Sequence, residues 1–129
     1  MPKAPLDATL SDLQLDVMRA LWARGEASTA DLAAALEASR GLAHTTVATV
    51  LTRLEKRGIV RSRRDGRQLV YSACVAEDAV RRSMVSSLLG TLFSGDAGAL
   101  VAHLVREDEI APGDLDRVRK LLAKEKPRG

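Results

Sequence analysis

A run of fifteen residues, Ala43 to Arg57, closed by Gly58 and followed at once by a basic hairpin pattern, constrains this chain more than any other feature. At 100° per residue, Val47, Val50, Leu51 and Leu54 form one stripe of a helix, while Thr45, Thr49, Thr52, Arg53 and Lys56 project from the opposite side. Gly58 supplies the left-handed position that ends such a helix. Ile59 to Arg64 and Arg67 to Ala73 then read as two strands joined at Asp65-Gly66, a pair that tolerates the positive φ of a two-residue turn. A helix with one apolar and one small, polar, basic face therefore runs directly into a β-ribbon.

Charge is concentrated at the same place. Seven cationic residues (Arg53, Lys56, Arg57, Arg61, Arg63, Arg64 and Arg67) stand against Glu55 and Asp65, a local net of +5 in a chain whose formal net is +3. Short hydroxyls let a helix lie close to base edges, and arginine forks onto guanine O6 and N7. Clustered cations neutralise phosphates. The alternative is a solvated charged hairpin whose Lys and Arg protect a strand edge.

Upstream, Ser11 followed by Gln14 predicts a capping box, with Leu10 and Leu15 as a hydrophobic staple, so a helix should start near Asp12 and end near Ala23 or Arg24 before Gly25. Ser28 and Asp31 repeat the capping pattern for a helix running to about Ala38, ahead of a Ser39-Arg40-Gly41 break. Glu26-Ala27-Ser28 can add a short strand. Helix, strand, helix, helix and two-stranded wing is the winged helix-turn-helix order, in which the third helix enters the major groove.

The character changes after residue 75. Residues 76–129 hold nine basic and nine acidic side chains, whereas residues 1–75 hold eleven and eight, so the excess positive charge lies in the first part. Val80, Met84, Val85, Leu88, Leu89, Leu92 and Phe93 make one helical stripe; Leu100, Val101, Leu104 and Val105 a second; Leu115, Val118, Leu121 and Leu122 a third. Helices this short do not enclose that much apolar surface alone. Pairing with a second copy would cover it and present two reading helices to adjacent half-sites, with Val80, Met84, Leu88, Leu92, Leu100, Leu104, Leu115, Val118 and Leu122 as the expected dimerisation residues. Packing back onto the winged domain is the alternative. The expected architecture is thus mainly α with a small β-wing: a winged helix-turn-helix domain at 1–75, then a helical dimerisation region at 76–129.

Composition narrows the function. Aromatic residues make up 2% of the chain, leaving few rings on which single-stranded bases could stack. No apolar window approaches the roughly 18 residues of a membrane span, so membrane insertion is not expected and a cytoplasmic location is. The lone Cys74 excludes an internal disulfide and is expected to be packed in a strand beside Tyr71. There is no paired Cys and His, no His-Glu-x-x-His, no phosphate-cradling glycine loop and no nucleophile elbow. The two histidines, His44 and His103, lie far apart in sequence. An enzyme, a metal site and a cofactor are therefore not expected.

Leu10 to Trp22, with its Val-Met-x-x-Leu-Trp ending, the Thr45 to Gly58 helix and the Gly-Arg-x-x-x-Tyr segment from Gly66 to Tyr71 together resemble the BlaI/MecI penicillinase-repressor family over roughly residues 8–125. The resemblance implies a dimeric repressor on an inverted-repeat DNA operator. It implies that Thr45, Thr46, Thr49 and Arg53 read bases, that the wing around Arg63, Arg64 and Arg67 holds the phosphate backbone or the minor groove, and that the helices from Ala76 onward dimerise. In β-lactam-responsive members it further implies a membrane sensor protease system and cleavage in the dimerisation region, which falls here near His103-Leu104. The Asn-Phe pair of that switch is absent, and no cysteine follows Cys74 to form the metal hook of copper-responsive members. Two other readings stay open: a winged helix used only for protein contact, marked by an apolar third helix and neutral wing, and a repressor released by a small ligand bound among the C-terminal helices.

Overall fold

The computed structural model describes residues 8–125. The chain divides into two compact units, Met1–Ser87 and Leu88–Gly129, so the division falls inside a helix rather than at residue 75, where the charge pattern changes.

In the first unit, α1 (Asp12–Arg24) starts at the expected capping box: Gln14 N–H donates to Ser11 Oγ at 3.1 Å, and Ser11 N–H donates to Gln14 Oε1 at 3.0 Å. β1 (Glu26–Ser28) follows Gly25. Ser28 and Asp31 cap α2 (Thr29–Arg40) in the same reciprocal way. This helix runs two residues past the expected end at Ala38. Arg40 is held there by an ion pair to Asp16 of α1, and the chain turns left-handed only at Gly41, with φ +69°.

Next comes α3 (His44–Lys56), followed by β2 (Val60–Asp65), β3 (Gln68–Ala73) and α4 (Glu77–Phe93). The sheet is antiparallel with order β1-β3-β2. Asp65 pairs with Gln68, so the two-residue turn is Gly66-Arg67, one position later than expected. Placing Asp65-Gly66 in the turn would set Arg64 directly opposite Arg67, a like-charge pair that destabilises a ribbon. The observed register instead puts Leu69 opposite Arg64 and leaves Gly66, φ +65°, at the first turn position, where a type II′ turn needs glycine.

The core of this unit is built from the inner stripes of α1, α2 and α3, with Ala27, Ile59, Val60, Tyr71 and Val80. Trp22 Nε1 donates to the Val75 carbonyl at 3.0 Å and fixes α1 against the chain leaving the wing.

The second unit contains the end of α4, α5 (Ala97–Arg106) and α6 (Asp114–Glu125). Asp96 caps α5 by accepting from Ala99 N–H at 3.0 Å, and Phe93 meets His103 edge-on at 5.8 Å between ring centres. Among the described residues, no single helix is long and apolar enough to cross a membrane.

Candidate nucleic-acid interface

The position of α3 follows from its four inner residues. Val47, Leu51 and Leu54 are wholly buried and Val50 is nearly so, which fixes the rotation of the helix and turns its other side outward. Thr45, Thr46, Thr49 and Arg53 border one groove together with Leu13 and Val50, so the four residues expected to read bases lie side by side. Lys56 is exposed in the last turn. Thr52 differs in chemistry: its hydroxyl donates to the Ala48 carbonyl at 3.0 Å, so its single proton is already committed.

The wing is tied to this helix. Ser62 Oγ donates to Glu55 Oε2 at 2.9 Å, and beside it the Tyr71 hydroxyl is pushed above its ordinary range, first by burial and then by the Glu55 charge. Alternation along β2 sends Arg64 to the face shared with Val60 and Ser62, and Arg61 and Arg63 to the other.

The seven cations are not equivalent. Arg63 Nη2 lies 2.9 Å from Glu26 Oε1, across the intervening strand, and that hydrogen bond and charge raise the guanidinium above the usual arginine range. Arg57 donates to the Thr9 carbonyl at 2.9 Å and to Gln14 Oε1 at 3.4 Å, clamping the approach to α1 onto the end of α3. Arg53, Lys56, Arg61, Arg64 and Arg67 form no ion pair among the described residues. The cationic surface is therefore narrower than the sequence count of +5.

A second groove joins the first turns of α2 and α3 to the wing tip, with Thr29, His44, Arg64, Arg67 and Gln68 on its border. Thr29 and Gln68 were not singled out from the sequence. The available signal for Thr29 was its place directly after the capping Ser28, since the N-terminal turn of a helix attracts anions.

Three side chains depart from expectation. Val80, expected at a dimer interface, is 1% exposed and fills the core of the first unit, so it is removed from that set. Met84 packs partly against the same core. Cys74 is exposed just beyond β3 rather than packed within it. In the second unit, Leu100 and Leu104 are half-buried, whereas Leu88, Leu92, Leu115, Val118 and Leu122 are exposed; His103 is exposed in the middle of α5.

Three helices, a three-stranded sheet and a wing tied to the third helix define a winged-helix protein of the nucleic-acid-binding kind. The penicillinase repressor family matches residues 10–124, and the chain belongs to that family, one of repressors rather than enzymes. It is 38% identical over 116 residues to the transcriptional regulator BlaI of Mycobacterium tuberculosis, covering 88% of this chain and 83% of that protein. It is 23% identical over 113 residues to the penicillinase repressor of Staphylococcus aureus, covering 88% and 90%. Among solved structures, the DNA-binding domain of the repressor BlaI matches at 29% identity with a TM-score of 0.52, over 61% of this chain and 93% of that one. The monomeric form of Bacillus licheniformis BlaI in complex with the blaP half-operator matches at 29% identity with a TM-score of 0.50, over the same shares.

Proposed function

We propose that this protein is a transcriptional repressor that binds a double-stranded DNA operator as a homodimer, one α3 entering the major groove of each half of an inverted repeat. The observation that carries the reading is the single groove bordered by Thr45, Thr46, Thr49 and Arg53 on a helix whose opposite face is locked into the core. Small hydroxyls there allow close approach to base edges, and Arg53 supplies the fork that suits guanine. Lys56, Arg64 and Arg67 flank this face and hold phosphate; Arg63 joins them only by exchanging Glu26. The B. licheniformis complex with a half-operator supports the same use of the fold.

Dimerisation is assigned to the second unit. Leu88, Leu92, Leu115, Val118 and Leu122 are between 41% and 68% exposed in the single chain, and a self-complementary interface would cover such surface. Release of DNA by cleavage near His103-Leu104, signalled by a membrane sensor protease, would require α5 to open first, because both residues sit inside that helix.

The protein-contact alternative calls for an apolar third helix, and the exposed threonines and Arg53 argue against it. For the ligand-released alternative, the groove between α1 and α4 in the first unit, with Trp22, Val80, Met84 and Val85, holds about 160 Å³. That is below the roughly 300–1,000 Å³ of small-molecule sites, whereas the groove at the wing tip, about 400 Å³, falls within that range but none of its described lining residues comes from the C-terminal helices.

The deciding experiment is footprinting on promoter fragments beside the protein's own gene, with a salt series against a random duplex. A protected inverted repeat and a steep salt slope support the repressor. Equal, weak binding to all duplexes would favour protein contact instead.

A further inference from the structure

The groove between the first turns of α2 and α3 and the wing tip has a lining that the reading of bases by α3 does not use. Its charged side chains are Arg64 and Arg67, and His44, exposed, is its one imidazole. From α2 come Thr29 and Ala30, which carry no charge; Asp31 in the same turn is engaged with the Ser28 backbone N–H at 3.4 Å. From α3 itself, Ala48 is the other lining residue, and the carboxylate of that helix, Glu55, is bonded to Ser62. From the wing, Gln68 and Leu69 complete the border. Among the described residues, no carboxylate lines the groove. Ala43, which precedes His44, offers no side-chain cap, so the first backbone N–H groups of α3 add positive partial charge to it.

Building on duplex binding by this unit, we propose that the groove seats a DNA backbone phosphate held jointly by His44, Arg64 and Arg67, with His44 as imidazolium, so that binding takes up a proton. The two guanidiniums are charged at every working pH, whereas a histidine ordinarily gains its proton between pH 5 and 8. A phosphate oxygen at hydrogen-bond distance favours the charged ring over the neutral one. By linkage, whatever adds a proton to the complex makes acid conditions tighten it. Because the contact is to phosphate, the effect is independent of base sequence and acts on the salt slope.

The test uses the full chain and fluorescence anisotropy on a random duplex and on a footprinted fragment at pH 8, 7 and 6, in phosphate-free buffers of constant ionic strength. Affinity for both duplexes should rise about three- to tenfold from pH 8 to pH 6, and the salt slope should steepen by less than the roughly 0.9 of a new phosphate contact, because Arg64 and Arg67 already hold the same phosphate. His44 is exposed, so replacing it spares the core. His44→Gln should lose the acid response, its affinity staying flat from pH 8 to pH 6. His44→Lys should show at pH 8 the affinity and slope that the wild type reaches at pH 6. His103→Gln, which removes the other histidine, should keep the full response. An acid response retained by His44→Gln, or a wild type that binds at pH 8 but does not respond to acid, would overturn the histidine seat while leaving duplex binding intact. No duplex binding at pH 8 would overturn both.

Discussion

The two units handle apolar side chains in opposite ways. In the first, Val17, Met18, Leu21, Leu32, Val47, Leu51, Leu54 and Ile59 are completely enclosed; in the second, no described residue is buried, and Leu92, Val105, Leu115 and Leu122 are more than half exposed. Apolar stripes at helical spacing occur in both, so periodicity reports that a face is apolar without reporting what covers it. One unit closes its core with its own strands and helices; the other leaves aliphatic side chains exposed in the single chain, where the proposed dimer would cover them. A specific interface of about 1,200–2,000 Å² is well within reach of three helices that leave so many aliphatic side chains uncovered.

The largest expected effect tests the closed unit. Leu51→Ala removes a completely buried side chain from the inner face of α3 and should cost ~2–5 kcal/mol. Urea denaturation should show that loss unchanged across protein concentrations. A loss that varies with concentration would mean that α3 draws stability from assembly, and the contrast between the units would fail.

The complementary substitution tests the open unit. Leu122→Asp, on the outer face of α6, leaves an unpaired charge where an apolar partner is proposed, and should weaken self-association by about tenfold or more without lowering the stability of the winged unit. Sedimentation equilibrium reads the first effect and denaturation the second. Unchanged association would make α6 a solvated helix.

What was legible in the sequence follows the range of the interactions involved. The caps at Ser11 and Ser28 and the inner stripe of α3 depend on residues three or four apart, and all were found where expected. The turn of the wing was displaced by one residue because both Asp-Gly and Gly-Arg satisfy turn chemistry; the cross-strand clash of Arg64 with Arg67 appears only once both registers are compared. The partners of Arg57, Arg63 and Val80 were not legible for a different reason. Those partners, Thr9 and Gln14, Glu26, and the core formed by α1 and the sheet, are brought into contact by the fold, and no local pattern announces them.

Within the candidate interface, Arg53→Ala should reduce specific operator binding by ~1–3 kcal/mol and relax discrimination at one base pair, with little change against a random duplex. Competition binding with single-base operator variants reads this directly. Unaltered discrimination at every position would take Arg53 out of the reading set.

The finest distinction separates two adjacent arginines with the same charge. Arg64 has no ion-pair partner among the described residues and borders the groove beside α3, whereas Arg63 lies on the other face of the ribbon in a hydrogen-bonded pair with Glu26. Losing Arg64 removes one of the cations proposed to share a phosphate and should flatten the slope of log affinity against log salt by up to roughly 0.9. Losing Arg63 frees the Glu26 carboxylate, and the slope should change by well under one unit. Glu26→Gln supplies the control: it releases Arg63 without removing it, so a steeper slope in that variant would show that the guanidinium reaches DNA once Glu26 no longer holds it. Equal slopes for Arg63→Ala and Arg64→Ala would mean that strand alternation does not sort the cations of the wing, and that the wing acts as a diffuse positive tip.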